Sequence, residues 1–313
     1  MYPCSNPELV AAVSAAGGIG MVQPLSMIYV HKHDLREGLR KIKATTSNPI
    51  GFNAIVEKSS KIYEDRMRRW VDVALDEGVR FFVTALGNPR WVVDKVHAKG
   101  GFVYHNVTNS KWARKALGGG VDGLICVNER AGGHAGEADP RRLFESMAEF
   151  GVPLVCAGGI GDEAGFVEAL NMGYGAAQLG TRFIATAECR AHSDYKSAIV
   201  GAEARDIVLT ERISGVPVAV IETDYVRRIG TKAGPVARWM LQHPKAKHWI
   251  RAYYSLRSLR QLKNASLEGT RYKDYFQAGR SVEGIEAVES AGAVVERFAA
   301  ALAESGAPAR EVG

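Results

Sequence analysis

Seven short apolar runs alternate with segments of helical periodicity as far as about residue 187, and this alternation restricts the possible fold more than any other feature of the chain. The runs are 19–22, 50–55, 80–84, 102–105, 123–127, 153–157 and 176–179. Helical patterns occupy 35–43, 63–77, 89–99, 110–118, 141–150 and 163–172. Strands joined through helices by short loops pair in parallel, because each crossover returns the chain to the same end of the sheet. A helix at 8–16, with Ser5 or Asn6 as cap and Pro7 in its first turn, comes before the first run, and no strand precedes it. The expected architecture is an α/β TIM (β/α)8 barrel whose first strand is truncated or lies upstream of Met1. An open doubly wound sheet is the alternative.

Past residue 190 the alternation stops. Residues 191–280 carry scattered helix patterns, two tryptophans (Trp239 and Trp249), Tyr253-Tyr254 and many Arg and Lys, with few strand signals. They read as a helical insert or cap. An Ala- and Glu-rich stretch at 282–303 reads as one long amphipathic helix that packs back on the barrel. The expected division is 1–190 barrel, 191–280 cap and 281–313 C-terminal helix.

Composition narrows the function. With 313 residues, 46% of them hydrophobic, the chain can bury a sizeable core. Its net charge of +6 comes from basic residues concentrated after position 226, with no nucleic-acid reader motif, so a nucleic-acid partner is not expected. Cys4, Cys126, Cys156 and Cys189 lie far apart without C-x-x-C spacing, which argues against a metal site and a disulfide framework and favours a reducing cytoplasm. No apolar run approaches the roughly 18 residues that span a bilayer, and no leader begins the chain.

Two glycine turns, Ala157-Gly158-Gly159-Ile160 and Gln178-Leu179-Gly180-Thr181, close consecutive apolar runs and open helix-like segments. Glycine lets backbone approach an anion closely, and amides at a helix start point their donors toward it. Two such turns on neighbouring strands can grip one phosphate, with Thr181 as a hydroxyl donor, where a single turn is mere punctuation. Arg130-Ala131-Gly132-Gly133-His134-Ala135-Gly136 follows the fifth run, so His134 stands on the face where barrel enzymes work. An imidazole there is a natural acid or base. Asn53, Thr84, Asn106 and Gln178 end other runs; singly they read as turn formers, and together they line one mouth suited to a planar heteroaromatic ring. The basic residues of the cap read either as its solvated face or as a site for an anionic partner such as a nucleotide or acyl carrier. Tyr272, Tyr275 and Phe276, followed by Gln277-Ala278-Gly279, either approach the mouth from above or pack in the core.

Ala131-Gly132-Gly133-His134, Cys156-Ala157-Gly158-Gly159-Ile160 and Leu179-Gly180-Thr181-Arg182-Phe183 closely resemble the nitronate monooxygenase (2-nitropropane dioxygenase) family of FMN-dependent barrels. Supporting matches are Ser5-Asn6-Pro7-Glu8-Leu9, Ala16-Gly17-Gly18, Gly51-Phe52-Asn53 and Tyr275-Phe276-Gln277-Ala278-Gly279. The resemblance implies non-covalent FMN with its phosphate on Gly158, Gly159, Gly180 and Thr181, the flavin beside Asn53 and Asn106, and His134 as the base. Ala131, Gly132 and Ala157 belong to the same cofactor-binding motifs. Some members carry lysine where this chain has Asn106. Members also begin with a strand ending in Gln-x-x-Met, of which Met1 alone remains, at the mouth. The implied reaction oxidises alkyl nitronates with O2 to a carbonyl compound and nitrite, His134 removing the α-proton when a neutral nitroalkane is the substrate. The same motifs resemble FMN-containing enoyl-acyl carrier protein reductases and NADH:quinone reductases, which leaves an NAD(P)H-dependent reductase as one alternative and a non-enzymatic flavin or phosphate module as another. A homodimer is left open.

Overall fold

The computed structural model describes residues 1–57, 61–213, 215–234, 247–269 and 275–305, with backbone alone for 247–256. Seven strands form one parallel sheet in sequential order: β1 (Gly20–Val22), β2 (Ile50–Val56), β3 (Phe81–Leu86), β4 (Phe102–Val107), β5 (Gly123–Val127), β6 (Leu154–Ala157) and β7 (Ala176–Gln178). Helices α1 (Pro7–Ala15), α2 (Leu35–Thr45), α3 (Lys61–Asp76), α4 (Arg90–His97), α5 (Ser110–Leu117), α6 (Pro140–Ala148) and α7 (Glu163–Asn171) alternate with them. A doubly wound sheet reverses its strand order at a switch point. The uninterrupted order here makes this the singly wound, TIM-type alternative, a curled sheet whose two edges are β1 and β7.

Local chemistry accounts for the element boundaries. Asp34, Asn109, Asp139 and Asp162 each stand just ahead of a helix and accept from its first amides, so the chain turns from strand to helix where the next orphan donors are satisfied. Phe52, Ala54 and Val56 on β2, and Phe82 on β3, face the helices and are fully buried, with the Phe52 and Phe82 rings 5.6 Å apart. The opposite face builds a second core inside the curl from Val83, Tyr104, Ile125 and Ala157, flanked by Met21, Phe81, Val127 and Val155.

The C-terminal part departs from the sequence reading in two places. Beyond α8 (Thr181–Ile184), the stretch after residue 190 carries, instead of helix alone, an antiparallel hairpin, β8 (Ile207–Thr210) with β9 (Val218–Ile221), among α9 (Ser193–Val200), α10 (Asp224–Ile229) and α11 (Lys247–Glu268). Its β-branched runs carried the signal, and the intervening loop, longer than a tight turn, hid the pairing. The expected helix 282–303 begins only at Ala291: α12 is Ala291–Ser305, preceded by a 3-10 turn at Arg280–Gly284. Ser290 Oγ accepts from Ala293 N at 3.1 Å and so caps the helix at that point. Phe298 of α12 stacks on Phe166 of α7 with centroids 5.3 Å apart, which docks the helix on the barrel wall.

Arg182 pins the same junction. It is 1% exposed, its Nη2 donates to the carbonyls of Ala185 (2.9 Å) and Ala287 (2.8 Å), and its Nη1 lies 3.4 Å from Glu289. Arg297 of α12 bridges Glu289 and Glu163. Removing a buried cation that holds two carbonyls and an acid leaves them unpaired, so Arg182→Met is expected to cost about 3 kcal/mol. A urea midpoint unchanged from wild type would show that this guanidinium does not hold the C-terminal segment.

Candidate active site

Strand register decides which residues reach the inside of the curl. Asn53 pairs with Val83, which pairs with Tyr104; Asn106 pairs with Ile125; and Gln178 pairs with Ala157. All four of these partners belong to the interior core, so Asn53, Asn106 and Gln178 share its face. The side-chain oxygens of Asn53 and Asn106 are buried without a hydrogen-bond partner. A buried amide oxygen without a donor costs free energy, so two of them inside one curl mark a place where a ligand's N–H groups belong.

Thr84, expected at the mouth, is turned the other way. It pairs with Ala54 and His105 on the helix-facing side, is fully buried, and its hydroxyl contacts the Tyr104 carbonyl at 3.1 Å and His105 Nδ1 at 2.8 Å. Burial holds the His105 imidazole down at about 4, which keeps it neutral. The one-residue offset between Val83 and Thr84 is a change of face, and no local pattern reveals which of the two points inward.

The glycine turns meet at the C-terminal ends of β6 and β7. Gly158 and Gly159 have φ of 118° and 84°, a region closed to most side chains. Among the described residues, no protein acceptor takes the amides of Gly158, Gly159, Gly180 or Thr181. Donors left free at two adjacent turns are what an oxyanion needs. Thr181 Oγ1 accepts from Gly279 N at 3.1 Å, which leaves its own proton to donate. Met1 lies against the second turn, its Sδ 3.8 Å from where a Cβ on Gly180 would stand.

The His134 loop is fixed from several sides. Asn128, fully buried at the end of β5, donates to the Gly158 carbonyl (2.9 Å) and accepts from Arg130 N (2.8 Å), tying this loop to the first glycine turn. The Gly133 carbonyl accepts from Ala219 N of β9 at 2.8 Å, and the Arg130 carbonyl from Arg280 N at 2.9 Å. Gly132 and Gly279 meet backbone to backbone: a Cβ on Gly279 would lie 2.6 Å from Gly132 N. β9 also bridges to Gln277, so the hairpin missing from the sequence reading is the element that holds the histidine loop. The His134 ring keeps an open surface, yet the protein mass around it strips hydration and lowers its pKa, which favours the neutral imidazole.

Sequence reasoning missed two residues of this arrangement. Asn128 was signalled only as the polar residue ending the fifth run. The stem of Arg130 lies over the first turn, with Cδ 2.7 Å from where a Cβ on Gly159 would stand. Of the segment expected above the mouth, Tyr275 and Phe276 are core residues, Phe276 stacking on Tyr195 at 4.8 Å, while Ala278 and Gly279 close on Gly132. Arg227 is paired with Glu222 and Asp224, and Lys263 reaches the Tyr29 carbonyl. Trp239, Tyr272, Arg238, Lys245, Arg271 and Lys273 lie outside the described residues, as do the side chains of Lys247, Trp249, Arg251, Tyr253 and Tyr254. Among the described residues there is no group of three or more His, Cys, Asp or Glu able to hold a metal, and no helix long and apolar enough to cross a membrane.

The family model described as nitronate monooxygenase matches residues 1–301. A (3aS,4S,5R,7aS)-5-hydroxy-7a-methyl-1-oxo-octahydro-1H-indene-4-carboxyl-CoA dehydrogenase of Rhodococcus jostii is 29% identical over 237 residues, covering 74% of this chain and 65% of the relative. The chain therefore spans less than two thirds of that relative's length. A nitronate monooxygenase of Paraburkholderia phytofirmans is 26% identical over 258 residues, covering 69% of this chain and 70% of the relative. Among solved structures, FabK from Thermotoga maritima superposes with a TM-score of 0.79 at 28% identity, covering 97% of this chain and 91% of FabK.

Proposed function

The chain belongs to the nitronate monooxygenase family, and from that premise we propose that it is an FMN-dependent oxidoreductase converting an alkyl nitronate and O2 to a carbonyl compound and nitrite. The observation that carries the reading is the meeting of two glycine turns with free amides and the His134 loop, which Asn128 ties to the first of them. The residues present fit FMN: the amides of Gly158, Gly159, Gly180 and Thr181 suit its phosphate, and the unpaired oxygens of Asn53 and Asn106 offer acceptors for ring N–H, of which the oxidised flavin carries one and the reduced flavin more. Ala131, Gly132, Ala157, Gln178 and Met1 complete the proposed wall; Thr84 is left out because its hydroxyl is spent on the other face. We also take residues 191–280 as a cap over the barrel 1–190, and, since all four cysteines are free and buried thiols, we place the protein in the cytoplasm.

FMN, when bound, supplies the electron-accepting ring and the route to O2. The protein does the rest. Neutral His134 takes the α-proton of a nitroalkane on its unprotonated ring nitrogen, and the amides of the turns hold the phosphate without a cost in reorganisation. For a nitronate that is already an anion, no proton has to move, and His134 only borders the substrate.

The test is oxygen uptake with nitrite release on propionate 3-nitronate or ethylnitronate, by protein that is yellow as purified or after reconstitution with FMN. Neither uptake nor nitrite from flavin-loaded protein would reject the reading. An NAD(P)H-dependent reductase is the second reading, kept because the likeness to a carboxyl-CoA dehydrogenase brings in redox chemistry other than nitronate oxidation. Rapid anaerobic bleaching of the flavin by NADH would select it.

A further inference from the structure

A cleft of about 380 Å³ lies on the helical side of the barrel, between the β1–α2 connection with the start of α2 and the middle of α3, and none of the residues proposed to hold the flavin lines it. Tyr29 (39% exposed) and Trp70 form an aromatic corner, with ring centroids 6.2 Å apart at 60°. The Arg66 guanidinium sits 5.7 Å from the Tyr29 centroid and 5.9 Å from that of Trp70, and donates to the Tyr29 hydroxyl at 2.5 Å. Stacking and that hydrogen bond fix its plane while leaving other N–H donors free.

The charges of this cleft are not mutually cancelled. Arg36 is spent on Asp76 and Glu77, but among the described residues neither Arg66 nor Arg69 has a carboxylate partner, and Arg69 is exposed. The acid on the wall, Asp34, uses Oδ1 to cap α2, accepting from Arg36 N at 2.9 Å and Glu37 N at 3.2 Å. Its other oxygen remains an acceptor. Two uncompensated guanidinium groups, an aromatic corner and one carboxylate acceptor correspond to the three parts of a ribonucleotide: phosphate, base and sugar hydroxyls.

The geometry points to this cleft as a binding site for a purine nucleoside diphosphate, with adenosine 5′-diphosphate as its probe. The purine stacks against the open face of Tyr29, the ribose hydroxyls donate to Asp34, and a diphosphate bridges Arg66 and Arg69. A volume of 380 Å³ accommodates such a ligand, being within the roughly 300–1,000 Å³ range of small-molecule sites.

Calorimetric titration of adenosine 5′-diphosphate into the full chain saturated with FMN tests the site, because the flavin then blocks the glycine turns. Saturable binding is expected, weakened about tenfold or more by Arg69→Glu and by Arg66→Leu with the flavin content unchanged. Adenosine and inorganic pyrophosphate should each bind more weakly than the nucleotide. No saturable binding up to about 5 mM, or equal affinity in both variants, would overturn the proposal. Pyrophosphate binding as tightly as the nucleotide would overturn it too, since Tyr29 would then have no base to hold. If the protein takes up no FMN, the flavin reading fails separately, and the same titration with both variants still tests the cleft.

Discussion

His134→Ala is expected to retain FMN while lowering kcat/KM for a neutral nitroalkane by about a hundredfold or more, with less than about a tenfold loss on a preformed nitronate. The asymmetry follows from the proton. The neutral substrate needs a base within reach in the transition state, whereas the anion arrives without the proton His134 would remove. The loop survives the substitution because its position is set by backbone contacts at Arg130, Gly132 and Gly133, none of which involves the imidazole. The protein mass around the His134 ring strips its hydration and lowers its pKa, so the base stays unprotonated further into acid than an ordinary imidazole. In wild type the nitroalkane rate should therefore hold as pH falls through about 6.5 and decline only below it. Equal losses on both substrates would make His134 a binding residue and not a base.

Gly159→Val is expected to empty the flavin site without unfolding the protein. At φ 84° a β-branched residue is strained, by roughly 1–2 kcal/mol. The nearest atom to the new side chain, Arg130 Cδ at 2.7 Å from the added Cβ, can swing away, whereas Arg130 Cβ at 2.9 Å has to give slightly together with its backbone. The fold should thus survive, with the valine methyls standing where a phosphate would meet the free amides. After desalting, the flavin-to-protein absorbance ratio should fall to about a tenth of the wild-type value or lower. The neighbouring position behaves differently: a Cβ at Gly158 meets the backbone nitrogen of Ala131 at 2.6 Å, so substitution there displaces the His134 loop itself. Full flavin occupancy in Gly159→Val would remove the turn from the phosphate site.

Much of this arrangement was legible in the chain because its signals are local. Each strand of the sheet announced itself as a short apolar run, and the loops ahead of α2, α5, α6 and α7 ended in a residue such as Asp139 or Asp162 whose side chain satisfies the amides ahead of it. The two glycine turns and the loop around His134 were visible as short local motifs, and at Gly158, Gly159 and Gly133 only glycine takes the backbone angles cheaply. The hairpin of β8 and β9 was passed over because its pairing spans a loop too long for turn chemistry to declare.

What the amino-acid order determined by itself was the sequence of strands and helices, the turns able to offer free amides, and a histidine among glycines, all of which depend on neighbours a few positions away. Tertiary structure alone decided which face each residue shows. Register sent Asn53 and Asn106 inward with unpaired oxygens and turned Thr84 outward, because side chains alternate sides at every residue and only pairing with the next strand sets the phase. It also decided what holds His134 in place, since Ala219 and Gly279 are far away along the chain and reach its loop only once β9 and the segment around Gln277 fold over the barrel.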